Sequence, residues 1–221
     1  MSTDLMYWIW LSERLGPANR LLPGLLAQFG SVYDIYRADD EELMGFDFDG
    51  IEKRSALADK NLDSAYRTLD YCARKGILIL TPDSPNYPNS LRVLQNPPSV
   101  LYCRGKLPDF EKRLCLSVVG TRKMTEYGKC AAYKIAYELS AAGVIVVSGM
   151  ALGIDAMAAC GALSASGQTV AVFGSGIDRI YPAKHRKLRD KILENGCTIS
   201  EFPPDAEPKG YHFPIRNRII S

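Results

Sequence analysis

The sequence predicts an α/β protein, with a Rossmann-like, doubly wound and mostly parallel sheet preceded by a small all-α domain. Three observations support this fold class. Apolar residues recur with helical spacing up to about residue 75, short β-branched runs alternate with helical stretches beyond it, and several of those runs end in glycine turns. We therefore expect a helical domain over residues 1–75 and a Rossmann-like domain over residues 76–221.

The composition is that of an ordinary globular protein whose two halves carry opposite charge. No apolar run is long enough for a membrane helix, and the six cysteines form no CxxC pair, so we expect a cytoplasmic protein with reduced thiols, no metal site and no membrane contact. Residues 1–76 contain 9 Lys and Arg against 13 Asp and Glu, whereas residues 77–221 contain 18 against 12. An anionic partner is therefore expected at the second half.

The N-terminal pattern predicts a bundle of short helices, with runs such as YWIWLSERL, SVYDIYR and SAYRTLDYCARK. Such a bundle is similar to helix-hairpin-helix DNA-binding domains. Its segment DDEELMGFDFD (39–49) has six acids and no base, which would repel phosphate. We interpret this domain as a packing or protein-contact module.

The second half predicts six strands separated by helices. The helical stretches are 125–142, 153–166 and 184–195. The strands are ILIL (77–80), VLYC (100–103), LCLSVVG (114–120), VIVVSG (144–149), TVAVFG (169–174) and CTIS (197–200).

Three successive strands of this set lead into glycine turns, in VVGTRK, VVSGMALGID and VAVFGSGIDRIYP. The carboxyl ends of parallel strands line one edge of a sheet, where glycines allow close backbone approach and helix N-termini offer N–H groups to an anion. Arg122 and Lys123 stand inside the first of these turns. The pattern predicts an anion-binding edge, and the alternative is that the glycines only permit tight turns and close helix packing.

Nucleotide cofactors and catalysis are both disfavoured. GSGIDR lacks the third glycine of a dinucleotide fingerprint because Arg179 occupies its place, and no P-loop is present. Asp155 and Asp178 follow Gly-Ile at the start of helical or turn segments, where carboxylates usually accept hydrogen bonds from free N–H groups. We therefore expect no cofactor, no catalytic residue and no enzymatic activity.

Basic and aromatic residues near the end of the chain suit a nucleic acid instead. AKHRKLRDK (183–191) has five Lys and Arg, and FPIRNRII (213–220) places two arginines behind a phenylalanine. Cations that follow phosphates, with rings that stack on unpaired bases, are typical of single-stranded nucleic acid binding.

Five motifs, VVGTR, SGMALGID, GSGIDRIYP, ISEFPP and FPIRNRII, resemble the DNA-processing protein A family (DprA, also called Smf) in their order and spacing. LLPGLLAQFGSVYDIY is similar to the family's N-terminal helical domain, which is sterile-alpha-motif-like. The resemblance implies a mediator that binds single-stranded DNA in natural transformation and loads the RecA recombinase, with no catalytic reaction. It also implies homodimerisation through the Rossmann-like domain. In the family that domain continues beyond the RNRII motif, so we expect this chain to be truncated. The expectation of a homodimer is weaker for that reason.

Carried onto this sequence, the motifs make Arg122 the leading DNA contact. The predicted DNA-binding residues are Gly120, Thr121, Arg122, Lys123, Ser148, Gly149, Gly153, Gly174, Gly176, Tyr181, Lys184, Lys187, Phe213, Arg216, Asn217 and Arg218. The sequence departs from the family at Leu152, Ala159 and Cys160, where polar or basic residues are usual, and we expect weaker DNA binding as a result.

Two other functions stay open. A nucleotide phosphoribohydrolase of the lysine-decarboxylase-like group uses similar glycine turns, although its PGG-x-GT-x-x-E signature is absent from this sequence. The second open function is that of a scaffold protein whose pocket binds only a stray anion. A structural role for Arg122, paired with Asp155 or another turn acid, is the alternative to a DNA contact.

Overall fold

A computed structural model of the chain describes residues 4–48 and 51–221. By its internal contacts the chain divides into two compact units, Met1–Leu101 and Tyr102–Ser221. The domain boundary predicted after residue 75 stays a prediction.

The first unit is mostly helical. The elements described in it are α1 (Asp4–Leu15), α2 (Leu21–Phe29), α3 (Val32–Arg37), α4 (Asp40–Met44), α5 (Ile51–Ala58), α6 (Asp63–Lys75), β1 (Leu78–Leu80) and α7 (Asn89–Arg92). The consecutive residues Trp8, Ile9, Trp10 and Leu11 of α1 are all at most 1% exposed. Because four consecutive residues cover the full circumference of a helix, α1 is the central helix, and α3, α5 and α6 pack against it.

The acidic segment of this unit begins with a capping box. The Asp39 carboxylate accepts the Glu42 N–H (2.9 Å), and the Glu42 carboxylate accepts the Asp39 N–H (3.0 Å). Two of the acids therefore satisfy free N–H groups at the start of α4. Asp49, at the end of the segment, lies outside the described residues, and the role of the domain as a contact module stays a prediction.

The second unit contains most of the sheet. Strand β2 (Leu101–Gly105) begins at the last residue of the first unit. The elements that follow it are β3 (Cys115–Ser117), α8 (Glu126–Ala141), β4 (Ile145–Ser148), α9 (Ile154–Ser164), β5 (Thr169–Val172), a 3-10 turn (Ala183–His185), α10 (Arg186–Asn195), β6 (Cys197–Ser200) and α11 (His212–Ile220). The strands form a six-stranded sheet in the order β1-β2-β6-β5-β4-β3. Strands β3 to β6 are parallel, and β2 is antiparallel to β6.

This architecture confirms the predicted α/β class and the mostly parallel sheet, and each strand overlaps a predicted apolar run. β4, β5 and β6 are buried at every residue, which is why they are apolar without alternation. α8 begins where predicted because Thr125 accepts the Gly128 N–H (3.1 Å). α9 packs closely on α8 at Gly161, which has no side chain. A Cβ at this position would lie only 2.2 Å from the Tyr133 carbonyl oxygen.

Candidate functional site

The candidate site lies at the sheet edge where β3, β4 and β5 end, since parallel strands bring their carboxyl ends together. We call the segments that follow them the first turn (118–125), the second turn (149–153) and the third turn (173–182). α11 lies against the second and third turns, because its Arg216 and Phe213 side chains fill the space beside Gly149 and Gly174. Four of the five recognised motifs therefore meet here.

A buried carboxylate joins the first two turns. Asp155, 5% exposed, accepts hydrogen bonds from the N–H groups of Gly120 (3.3 Å) and Gly149 (3.1 Å). This is the acceptor role predicted for Asp155, with donors in two turns outside its own helix. Both N–H groups are thereby engaged within the chain, so a bound phosphate must find its main donors elsewhere.

Arg216 is buried rather than displayed at the surface. Its Nη1 donates to the carbonyl oxygens of Gly149 (3.1 Å) and Val172, and only 5% of the residue is exposed. Burial lowers the pKa of Arg216 to about 10, Asp155 acts in the opposite direction, and the charge of Arg122 adds to the lowering. Arg216 is therefore still a cation at neutral pH, and it links the ends of β4 and β5.

The glycines of the turns make room for the chain's own side chains. A Cβ on Gly149 would lie 2.5 Å from the Arg216 guanidinium, and one on Gly174 would lie 2.8 Å from the Phe213 ring. Gly153 has a φ of +83°, which favours glycine. The alternative reading of these glycines, tight turns and close packing, therefore has direct support, and their contact with phosphate stays a prediction.

Arg122 is an exposed cation of the first turn. Its guanidinium carbon lies 5.5 Å from the centroid of the Phe213 ring, and that ring lies 5.3 Å from the ring of Tyr181. Tyr181 is 44% exposed. Within residues 4–48 and 51–221 no ion pair joins Arg122 to Asp155, so the structural alternative for Arg122 gains no support. A cation beside a pair of packed rings can hold a phosphate while a ring stacks on the neighbouring base.

Two cavities open beside this cation. The larger is a groove of about 400 Å³, and the smaller, of about 40 Å³, lies between the second turn and Tyr181–Pro182. Arg122, Phe213 and Arg216 line both, so the two cavities share a wall. Ala151 also lines both cavities and was not among the predicted residues, because an alanine in a turn carries no chemical signature.

Several other predicted residues lie at or near the surface of this edge. Thr121 and Lys123 are exposed in the first turn, where the Thr121 hydroxyl accepts the Lys123 N–H (3.1 Å). Asn217 lines the groove. Lys184 and Lys187 are exposed in the 3-10 turn and at the start of α10.

Three predicted residues make internal contacts instead. The Ser148 hydroxyl donates to the Val118 carbonyl oxygen (2.8 Å), and Gly176 donates its N–H to a carbonyl of the loop after β6 (2.7 Å). Arg218 pairs with Glu201 at 2.6 Å, with only 14% and 3% of their side chains exposed. These residues hold the edge together, and a direct DNA contact for any of them stays a prediction.

The three departures from the family pattern differ in their position. Leu152 lines the smaller cavity. Ala159 is buried in an apolar cluster with Met150 and Phe173, and burial raises the pKa of the partly buried Cys160 thiol. Leu152 is therefore the departure placed to change what the site offers a ligand, and the expected loss of affinity stays a prediction.

The described part of the chain has neither a metal-binding cluster nor a membrane-spanning helix. No group of three or more His, Cys, Asp or Glu there could hold a metal ion, and no disulfide joins its cysteines. None of its helices combines the length and the apolar character that crossing a bilayer requires.

The chain is similar to several bacterial proteins. Protein Smf of Synechocystis is 35% identical over 226 residues, which is 100% of this chain and 56% of that protein. DNA processing protein DprA of Bacillus subtilis is 36% identical over 155 residues, 70% of this chain and 52% of that protein. This chain thus spans about half the length of these two relatives.

Two solved structures share the fold. The X-ray structure of DNA processing protein A from Streptococcus pneumoniae superposes with a TM-score of 0.75 at 26% identity, covering 97% of this chain and 74% of that one. DNA processing protein A from Helicobacter pylori, solved for insight into its single-stranded DNA binding mode, gives a TM-score of 0.58 at 34% identity and covers 64% of each chain.

The family described as DNA recombination-mediator protein A matches residues 78–221. That range contains all five motifs and the three turns of the site. The resemblance stated from the sequence is therefore confirmed, and the chain belongs to the DNA recombination-mediator protein A family, whose members are named DprA or Smf.

Proposed function

We propose that this protein is a cytoplasmic, single-stranded DNA-binding recombination mediator of natural transformation and not an enzyme. One observation carries the proposal: the exposed Arg122 guanidinium lies beside the Phe213 ring, both residues line the groove, and the Tyr181 ring packs against Phe213. A guanidinium binds phosphate through two parallel hydrogen bonds, and aromatic rings stack on unpaired bases.

The residues of the site have different roles in this proposal. Arg122 holds a phosphate, and Phe213 and Tyr181 contact the neighbouring base. Asp155 and Arg216 act indirectly, because both are buried and keep the turns together. Exposed lysines such as Lys123, Lys184 and Lys187 attract the strand over a longer range, an effect that salt screens.

Membership of the family supports a role in DNA processing, and the Helicobacter pylori relative supports single-stranded DNA as the ligand. RecA loading and homodimerisation rest on the resemblance alone, and we assign no residue to either. Both are proposals for the whole protein.

A nucleotide phosphoribohydrolase is disfavoured because the acids near the site are engaged. Asp155 accepts two N–H groups, and Glu201 is 4% exposed and pairs with Arg218. Both carboxylates therefore already have internal partners. Incubation with nucleoside monophosphates should release no more free base than a control without protein. Turnover that is lost on changing Asp155 or Glu201 would support the enzyme instead.

The test of the proposed function is titration of labelled oligothymidine and of a matched duplex at several salt concentrations. We expect single strands to bind more tightly than duplex. The slope of log affinity against log salt should be about −0.7 for each phosphate contacted. Equal affinity for duplex, or affinity that does not change with salt, would contradict the proposal.

A further inference from the structure

We propose that His185 is a positioning residue that holds the second turn against the Tyr181–Pro182 segment and so sets the shape of the smaller cavity beside Arg122. The effect of His185 on DNA binding rests on the proposed function. The contacts of His185 described below do not depend on any ligand.

A single hydrogen bond makes the connection. His185 Nδ1 lies 2.9 Å from the carbonyl oxygen of Met150. A carbonyl oxygen can only accept, so Nδ1 must carry the hydrogen and donate. In the neutral ring this selects the tautomer that is protonated on Nδ1 and leaves Nε2 as an acceptor.

The acceptor belongs to a residue in an unusual backbone conformation. Met150 has a φ of +52°, in the left-handed region that residues with a Cβ rarely adopt. Such conformations persist only where the surroundings impose them. Here the Met150 side chain is fully buried in an apolar cluster with Phe173, and His185 holds its carbonyl.

The second turn transmits this constraint to the first turn. Gly153 packs against the backbone of the first turn so closely that a Cβ would lie 2.9 Å from the Arg122 Cα. The next residue, Ile154, donates its N–H to the Thr121 carbonyl oxygen (3.2 Å). A shift of the second turn therefore displaces the backbone that carries Arg122.

On its other side, His185 is tied to the opposite wall of the cavity. The backbone N–H of His185 donates to the Pro182 carbonyl oxygen at 2.9 Å. Tyr181, Pro182 and Leu152 line the smaller cavity together with Arg122. His185 thus joins the two walls without being one of the residues that line the cavity.

The tautomer is the first test and needs no DNA. The chain has two histidines, so a His212→Phe variant leaves one imidazole to observe. Long-range ¹H–¹⁵N spectra should be recorded at a pH well above the ordinary histidine pKa of about 6.5. We expect the signature of the tautomer protonated on Nδ1. The signature of the tautomer protonated on Nε2 would overturn the proposal.

The second test uses two variants of similar size that differ in their donor. His185→Asn keeps an N–H donor close to the Nδ1 position, whereas His185→Leu has none. We expect His185→Leu to bind oligothymidine about fivefold more weakly than the wild type, the loss typical of one hydrogen bond, and His185→Asn to recover most of that loss. The proposal would be overturned if His185→Leu bound oligothymidine as tightly as the wild type, or if His185→Asn bound it no more tightly than His185→Leu.

A double-mutant cycle shows whether His185 acts through the Arg122 site. In an Arg122→Ala background, His185→Leu should cost less than about twofold in affinity. The same fivefold loss in both backgrounds would contradict positioning.

The outcomes also separate this proposal from the proposed function. If the wild type binds no oligothymidine, the proposed function fails, and His185 is then judged by its tautomer and by the backbone amide shifts of Ala151, Leu152 and Gly153 in His185→Leu. Those shifts must change. Unchanged shifts would overturn the positioning role whatever the DNA result.

Discussion

Replacing Arg122 should weaken DNA binding while leaving stability almost unchanged, whereas replacing Arg216 should reduce stability first. The Arg122 side chain is exposed, and its contact with the Phe213 ring is of the kind that contributes about 0.5–1 kcal/mol. Its removal also relieves repulsion, because the charge of Arg122 contributes to lowering the pKa of Arg216. We expect the free energy of unfolding of Arg122→Ala to stay within about 1 kcal/mol of the wild type.

The binding loss of Arg122→Ala should be large by comparison. Hydrogen bonds to a charged group contribute about 1.5–3 kcal/mol, which corresponds to affinity about 10- to 150-fold weaker. The salt slope should become less steep by about 0.7, the contribution of one phosphate on a single strand. Arg122→Lys should recover part of the affinity, since an ammonium replaces two directed bonds by a point charge.

Arg216→Ala should behave differently because the side chain is buried. It removes a cation next to the Asp155 carboxylate and leaves two backbone carbonyl oxygens without their donor. Removing one partner from a buried charged group typically costs about 3–5 kcal/mol. The difference between the two arginines follows from burial alone, since both line the same cavities.

The assays are fluorescence anisotropy with labelled oligothymidine at several salt concentrations and unfolding in denaturant. Lys184→Ala and Lys187→Ala serve as matched controls, since each removes one exposed charge outside the groove, and each should cost less than about threefold in affinity. If Arg122→Ala unfolds as readily as Arg216→Ala, Arg122 is structural. If it binds like the wild type, Arg122 is not the central contact.

Three further perturbations test the packing of the site. Asp155→Asn should lower the free energy of unfolding by about 1–3 kcal/mol, because an amide NH₂ then faces a backbone N–H donor; equal stability in denaturant would show that the two N–H bonds matter little. Gly174→Ala should weaken oligothymidine binding because its Cβ would displace the Phe213 ring, whereas Gly210→Ala, with no atom within 4 Å of the added carbon, is the control and should bind like the wild type. Burial lowers the pKa of His212 from its ordinary value of 6.5, so the unfolded state takes up protons first, and the free energy of unfolding should fall as the pH drops below about 6.5. His212→Phe should make unfolding less dependent on pH in that range, and an unchanged pH profile would contradict this origin.

The sequence by itself predicted the six strands, three of the helices between them and the sheet edge proposed as the site, whereas α11 was not among the predicted helices. Continuous apolar runs such as β4 and β5 indicate buried parallel strands because that signal is local to each run. The start of α8 at Thr125 is also a local signal, because the Thr125 hydroxyl accepts the N–H of Gly128, only three residues further along the chain. The position of Arg122 in the glycine turn after an apolar run predicted that it lies at the sheet edge. The same run was expected to be a buried strand, and this was wrong: Leu116 of β3 is 41% exposed, because β3 is the last strand of the sheet and, among the described residues, has a neighbour on one side only.

Only the tertiary structure decided what each charged or glycine residue does at that edge. Arg216 reaches a carbonyl 67 residues earlier in the chain, and Asp155 reaches an N–H 35 residues earlier, so nothing in their own segments showed that both are buried. The glycine turns looked open to a phosphate in the sequence, yet α11 fills the space beside Gly149 and Gly174. The physical reason is that periodicity reports on neighbours within a few residues, whereas the burial of a charge and the occupant of a glycine's open side depend on which distant segments pack together.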